Sequence, residues 1–131
     1  MALVASTAPK LGNLVKHEYG KEHGYCREKF VVNVGSETAL TIGSLLGKVT
    51  ATGKYQLVDP TAVDGSEVVA GVVIENKTVP ASTDTEVVVL VRSPAIIADN
   101  AIVYDNTFDA AQKAAAISEI ESLGIVVRQQ V

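Results

Sequence analysis

At 131 residues and a formal net charge of −4, the chain has room for one packed domain and a tail, and it lacks the basic surplus that phosphate-neutralising nucleic-acid binders need. Hydrophobic residues make up 47% of it, but much of that is Ala and Val and Trp is absent, leaving Tyr25, Phe30, Tyr55, Tyr104 and Phe108 as the few large anchors of a small-residue core. The single cysteine, Cys26, excludes an internal disulfide, and with no secretory leader or membrane-length apolar run the expectation is a protein made in a reducing cytoplasm, with neither nucleic acid nor membrane as partner.

From Met1 to Glu28 the pattern is irregular, because Pro9, Gly12, Gly20 and Gly24 interrupt any period before it can bury a face. This predicts an extended N-terminal arm over 1–28 ahead of a β-rich domain over 29–131. The first thirty residues hold five Lys or Arg against three Glu, a weakly basic segment on an acidic body. Its apolar side chains, among them Leu11, Leu14, Val15 and Tyr19, suit a segment that orders on a partner. A truncation through residue 22 is therefore expected to leave the domain folded.

Phe30–Val34 is β-branched and stops at Gly35-Ser36, which predicts a strand and a turn. Leu40–Ile42 stops at Gly43, and Leu45–Thr52 leads across Gly53 to Tyr55–Val58. Val68–Ile74 reads as a buried strand with Gly71 marking a bulge or a close approach. Val79–Asp84 reads as a turn, and Thr85–Arg92 as the central strand, too apolar to have one wet face. Ala95–Ala98 and Ala101–Tyr104 are two short strands about a tight turn at Asp99-Asn100. An alanine-rich helix is predicted over Asp109–Leu123, with Ala110, Ala114, Ile117 and Ile120 on its inner stripe, Thr107 as cap and Gly124 as terminator. Ile125–Arg128 closes the chain as a strand. The fold class is mainly β, with one C-terminal α-helix and the arm.

Candidate chemistry fails on spacing. Gly43-Ser44-Leu45-Leu46-Gly47-Lys48-Val49 has three residues between its glycines where a phosphate loop has four, and Val where that loop has Ser or Thr. His17, His23 and Cys26 cluster in sequence, but the histidines are six apart across a glycine and the cysteine has no Cys-x-x-Cys partner, so no metal is expected. The same residues lack a third group to orient a thiolate–imidazole pair. The carboxylates of Asp59, Asp64 and Asp99 sit beside turn residues, where turn chemistry explains them. No catalytic residue, cofactor or metal follows from this chain.

Gly24-Tyr25-Cys26-Arg27-Glu28 leading into a strand is followed in order by Gly35, Leu40, Gly43-Ser44-Leu45-Leu46-Gly47-Lys48-Val49, Gly53-Lys54-Tyr55 and Ala70-Gly71-Val72-Val73. This order resembles the lambda-type bacteriophage head decoration family, and the likeness continues more loosely to the C-terminus. The resemblance implies a structural, non-enzymatic protein with a small β-clip-like domain. It implies trimers at threefold sites on the outside of the expanded head, with the major capsid protein and itself as partners. It further implies an arm, here with Leu11, Leu14, Val15, Tyr19 and Tyr25 as contact residues, that is disordered when free and adds to strands of the capsid protein. The family-motif turn and strand positions are Gly35, Leu40, Gly43, Leu46, Gly47, Gly53, Tyr55 and Gly71. A β-rich tail or baseplate subunit is the competing structural reading. A trimeric dUTPase-like enzyme is the competing catalytic one, against which stands a C-terminus, Val126–Val131, without a glycine-rich closing tail.

Overall fold

The computed structural model describes residues 14–20, 24–92, 94–104 and 108–129. Its strands are β1 (Val15–Glu18), β2 (Arg27–Val32), β3 (Thr38–Leu40), β4 (Leu45–Lys48), β5 (Tyr55–Leu57), β6 (Gly71–Val73), β7 (Lys77–Val79), β8 (Thr85–Leu90), β9 (Ala95–Ala98) and β10 (Ile125–Arg128), with helix α1 (Ala110–Ser122) before the last. Five of them close into a barrel in the order β2-β5-β4-β6-β8. Strands β1, β9 and β10 form a second sheet with β9 in the middle, and β3 pairs β7 alone.

The valine run of β8 explains this layout. Val87 and Val89 point into one cluster with Val32, Val34, Leu40, Leu46, Val73 and Val79. Leu90 and Val88 point the other way, into a larger cluster with Leu14, Val72, Ile97, Phe108, Ile120 and Ile125. A strand with two dry faces has no position for polar alternation, as its sequence indicated. β4 and β6 divide in the same manner, Leu45 and Val72 to one cluster and Leu46 and Val73 to the other. Each fully buried Val or Leu contributes roughly 1.5–3 kcal/mol, so these shared walls couple barrel, sheet and helix.

Several elements differ from the sequence reading. Val79 ends a strand rather than opening a turn, because β7 pairs β3 through Thr38↔Val79, Ala39↔Thr78 and Leu40↔Lys77. Ala101–Tyr104 is not a strand: Asp99–Ala101 is a 3-10 turn, and Val103 makes only an isolated parallel bridge to Ser44. The helix is capped by Asp109, whose carboxylate accepts from Gln112 N at 2.7 Å while the Gln112 side chain accepts from Asp109 N, a reciprocal capping box. Thr107 lies outside the described residues. The buried helix positions are Ala116 and Ile120, with Ala110 and Ala114 exposed. A run of alanines carries too little apolar contrast to fix which face turns inward.

The 59–66 loop is held by its own carboxylates. Asp59 accepts from Thr61 N and Oγ1 at 3.0 and 2.7 Å, and Asp64 from Ser66 N and Oγ at 3.0 and 2.6 Å. Both carboxyls are held below their ordinary value of 3.8, chiefly by the Thr61 and Ser66 hydroxyls. A carboxyl depressed on folding stabilises fully above its unfolded value and loses that contribution as pH falls through the lower folded one. Amide shifts of Thr61 and Ser66 should therefore hold down to about pH 3.8 and move only below it; movement at higher pH would show that these bonds do not form.

Candidate functional site

The end of β1 and the start of β2 are tied together by side-chain contacts. β1 lies at the edge of its sheet, antiparallel to β9 through Val15↔Ile97, His17↔Ile96 and Glu18↔Ala95, with an irregularity between Val15 and His17. Glu18 turns inward, its side chain only 1% exposed, and Arg27 at the start of β2 meets it with both arms of its fork: Nε donates at 2.7 Å and Nη2 at 2.9 Å. The hydrogen bond donated to Glu18 holds the Arg27 guanidinium above its ordinary value. Beside it Cys26 is buried, its Sγ 3.4 Å from the Tyr19 carbonyl and 3.5 Å from that of Pro94, and Tyr19 N donates to the same Pro94 oxygen at 2.9 Å.

Over this fixed base lies an exposed aromatic patch. The rings of Tyr19 and Tyr25 meet edge to face at 5.6 Å, and both are more than half exposed. The Arg92 guanidinium sits 5.7 Å above the Tyr25 ring, donates to the Tyr25 carbonyl and pairs with Glu28. Tyr and Arg are the residue types that concentrate at protein interfaces, since they bring large contact area and a polar tip together. Among the described residues no three His, Cys, Asp or Glu side chains converge as metal ligands.

Leu11 and His23 lie outside the described residues. Leu14 is fully buried in the larger cluster, Val15 is half-buried in β1, and Tyr19 and Tyr25 form the patch. The described part of the segment expected as an arm is thus built into the domain, and the boundary after residue 28 coincides with no structural boundary. Truncation through residue 22 would remove Leu14, β1 and Glu18, all of which pack within the domain. The glycines read as breaking the segment instead turn it: Gly20 and Gly24 flank the passage from β1 to Cys26 and β2.

The motif positions are architectural. Leu40 and Leu46 fill the barrel-side cluster, and Tyr55 stacks on Phe30 at 3.8 Å between ring centres. Gly71 faces Phe30 and Val91, where an added Cβ would stand 3.2 Å from each. Gly47 lets the Ser66 main chain cross β4, since a Cβ there would lie 2.5 Å from the Ser66 carbonyl oxygen. Gly43 abuts the Asp99–Ala101 turn, Gly53 sits in the open turn before β5, and Gly35 is exposed beyond β2. Sequence reasoning missed the Glu18–Arg27 pair, because a Glu nine residues before an Arg across two glycines has no helical or strand register to announce it.

Among the described residues one buried side-chain polar atom has no hydrogen-bond partner. The Tyr104 hydroxyl is enclosed without a hydrogen bond, while its ring lies against Phe108 and beneath the Lys113 ammonium. Desolvation, with a smaller contribution from Asp99, pushes its phenol above the ordinary value of 10.0. Tyr104→Phe is expected to raise the thermal stability of the free protein, by about 1 kcal/mol, since it removes a desolvated donor and no bond. A comparable loss would mean that the hydroxyl has a partner.

The family model described as Bacteriophage lambda head decoration protein D matches residues 5–125. No curated protein matches the chain.

Proposed function

This chain belongs to the bacteriophage lambda head decoration protein D family, and from that premise we propose that it attaches as trimers to threefold sites on the outside of the expanded phage head and stabilises the shell. The observation that carries this reading is the construction around β1. An edge strand is anchored by the buried Glu18–Arg27 pair and by Leu14, and it is flanked by the exposed Tyr19, Tyr25 and Arg92. A rigid seat of this kind holds the exposed Tyr19, Tyr25 and Arg92 in a fixed arrangement, as a contact surface requires.

In this reading the segment before Leu14 adds as a strand to the major capsid protein, while Val15, Tyr19 and Tyr25 rest on the shell. Leu14 is an internal anchor and takes no part. Ordering the segment costs roughly 1–2 kcal/mol per residue in backbone entropy, so a single copy binds modestly. Three copies joined together gain through effective concentration, which makes trimerisation and threefold geometry part of the affinity. The protein waits in the host cytoplasm until a head is available and acts in the virion thereafter, without catalysis or cofactor.

Imaging of expanded heads mixed with the purified protein tests this. Three-lobed density is expected over the threefold positions of the outer surface. Density on the head at other positions would refute the threefold assignment, and heads left bare by a protein that decorates purified tails would favour a tail or baseplate subunit.

A further inference from the structure

The loop between β5 and β6 holds the chain's one Asp-Gly sequence, Asp64-Gly65, and the chain has no Asn-Gly. An aspartate before glycine is open to closure of a five-membered imide, because glycine has no side chain to shield its amide or to restrict the torsions that closure needs. In that reaction the Gly65 nitrogen gives up its proton and attacks Asp64 Cγ; a C–N bond forms, the Cγ–O bond breaks, and that oxygen leaves as water. Water then opens the imide at either carbonyl. It returns aspartate or gives isoaspartate, whose main chain runs through the side chain and is one carbon longer.

The packing calls for both residues. Gly65 has φ of 105°, and a Cβ on it would stand 2.4 Å from Thr50 Oγ1 and 2.6 Å from the Lys48 carbonyl oxygen. One carboxylate oxygen of Asp64 accepts from Ser66 N at 3.0 Å and from Ser66 Oγ at 2.6 Å, and Ser66 is fully buried. The Ser66 main chain lies so close across β4 at Gly47 that a carbon inserted two residues earlier would force the crossing apart. The loop therefore carries a labile pair at a place where its isomerisation would damage the barrel wall.

We propose that Glu67, together with the Thr50 amide, locks the Asp64–Gly65 peptide against imide formation and so keeps the loop from ageing into isoaspartate. The Asp64 carbonyl accepts from Thr50 N at 2.9 Å, and the Gly65 N–H, whose nitrogen is the nucleophile, donates to Glu67 Oε1 at 2.8 Å. Turning this peptide until its nitrogen faces Cγ rotates the bond between Asp64 Cα and its carbonyl carbon, which carries both groups away from their partners. Asp64 is exposed, so the bonds protect it and exclusion of water does not. The Ser66 hydroxyl also holds the Asp64 carboxyl below its ordinary value, which depletes the protonated form from which water leaves. Glu67 acts here as an acceptor that fixes the N–H in place, a role that needs its oxygen and not its charge.

Peptide mapping for isoaspartate at residue 64 tests this, on the full-length protein incubated at physiological pH and temperature, folded and in urea, beside the Glu67→Gln and Glu67→Ala variants. The folded wild type should form isoaspartate at least about tenfold more slowly than the urea-unfolded chain, since the reaction requires local opening. Glu67→Gln, whose amide oxygen can still accept from Gly65 N, should keep most of that protection, whereas Glu67→Ala should react roughly five- to tenfold faster than wild type. Equal rates in the folded and unfolded wild type would overturn the proposal, even if Glu67→Ala fails to fold. So would a Glu67→Ala rate equal to the wild type's, or slower formation in both variants, which would make Glu67 a base that promotes closure.

Discussion

Gly43→Ala should unfold the protein roughly 10–15 °C earlier than wild type. Gly43 has φ of 102°, in the left-handed half of backbone space, and a Cβ there would stand 2.1 Å from the Ala101 carbonyl oxygen. Neither side can withdraw. Gly43 N donates to the Val73 carbonyl at 2.8 Å, Val103 N donates to the Gly43 carbonyl at 2.9 Å, and the Ser44↔Val103 bridge holds the same two segments together. Backbone strain and forced displacement of a fixed main chain each cost about 1–3 kcal/mol, so about 4 kcal/mol is the expected sum. Gly53→Ala is the control. It has φ of 72° but nothing within 4 Å of its added Cβ, so only the backbone cost, about 1 kcal/mol, should appear in the same thermal scan. Equal effects at the two sites would mean that the Asp99–Ala101 turn yields.

Arg27→Ala should cost about 3 kcal/mol in denaturant unfolding, because it leaves the Glu18 carboxylate inside the protein without its counter-charge. The expected signature lies in the double variant. Glu18→Leu combined with Arg27→Met replaces the pair by apolar groups of similar size and should recover most of the loss, since the penalty arises from the unpaired charge more than from the absence of attraction. If the double variant is as unstable as Arg27→Ala, the pair contributes through geometry that apolar side chains cannot reproduce. In either case β1 is the element affected, because Glu18 ends it and Arg27 begins β2.

The strands of the barrel were largely legible in the sequence because they are short runs set off by glycine or proline, and β8, with no polar alternation, declared itself central. The helix was legible for its composition and its Gly124 stop, whereas alanine repetition concealed both its inner face and its Asp109 cap. β1 was not legible. Val-Lys-His-Glu has one apolar residue in four, and its place in the fold is decided by pairing with β9 nearly eighty residues away and by an ion pair that no local pattern encodes. The same holds for the aromatic patch: Tyr19 and Tyr25 were singled out as contact residues, but the Arg92 and Glu28 that organise them come from β2 and the segment after β8. The motif glycines were visible as punctuation, while their reasons, a carbonyl against Gly43 and a crossing main chain against Gly47, needed the packed structure.

The shell assignment is tested most directly by co-sedimentation of two purified proteins, full-length and lacking residues 1–13, with undecorated expanded heads and with unexpanded procapsids. A cut after residue 13 spares Leu14, β1 and the Glu18–Arg27 pair, so both proteins should show cooperative thermal unfolding. The expected result is that the full-length protein pellets with expanded heads and not with procapsids, and that the truncated one stays in the supernatant. Failure of the full-length protein to pellet with either head form would contradict the account, and equal pelleting of the two proteins would remove the N-terminal segment from it.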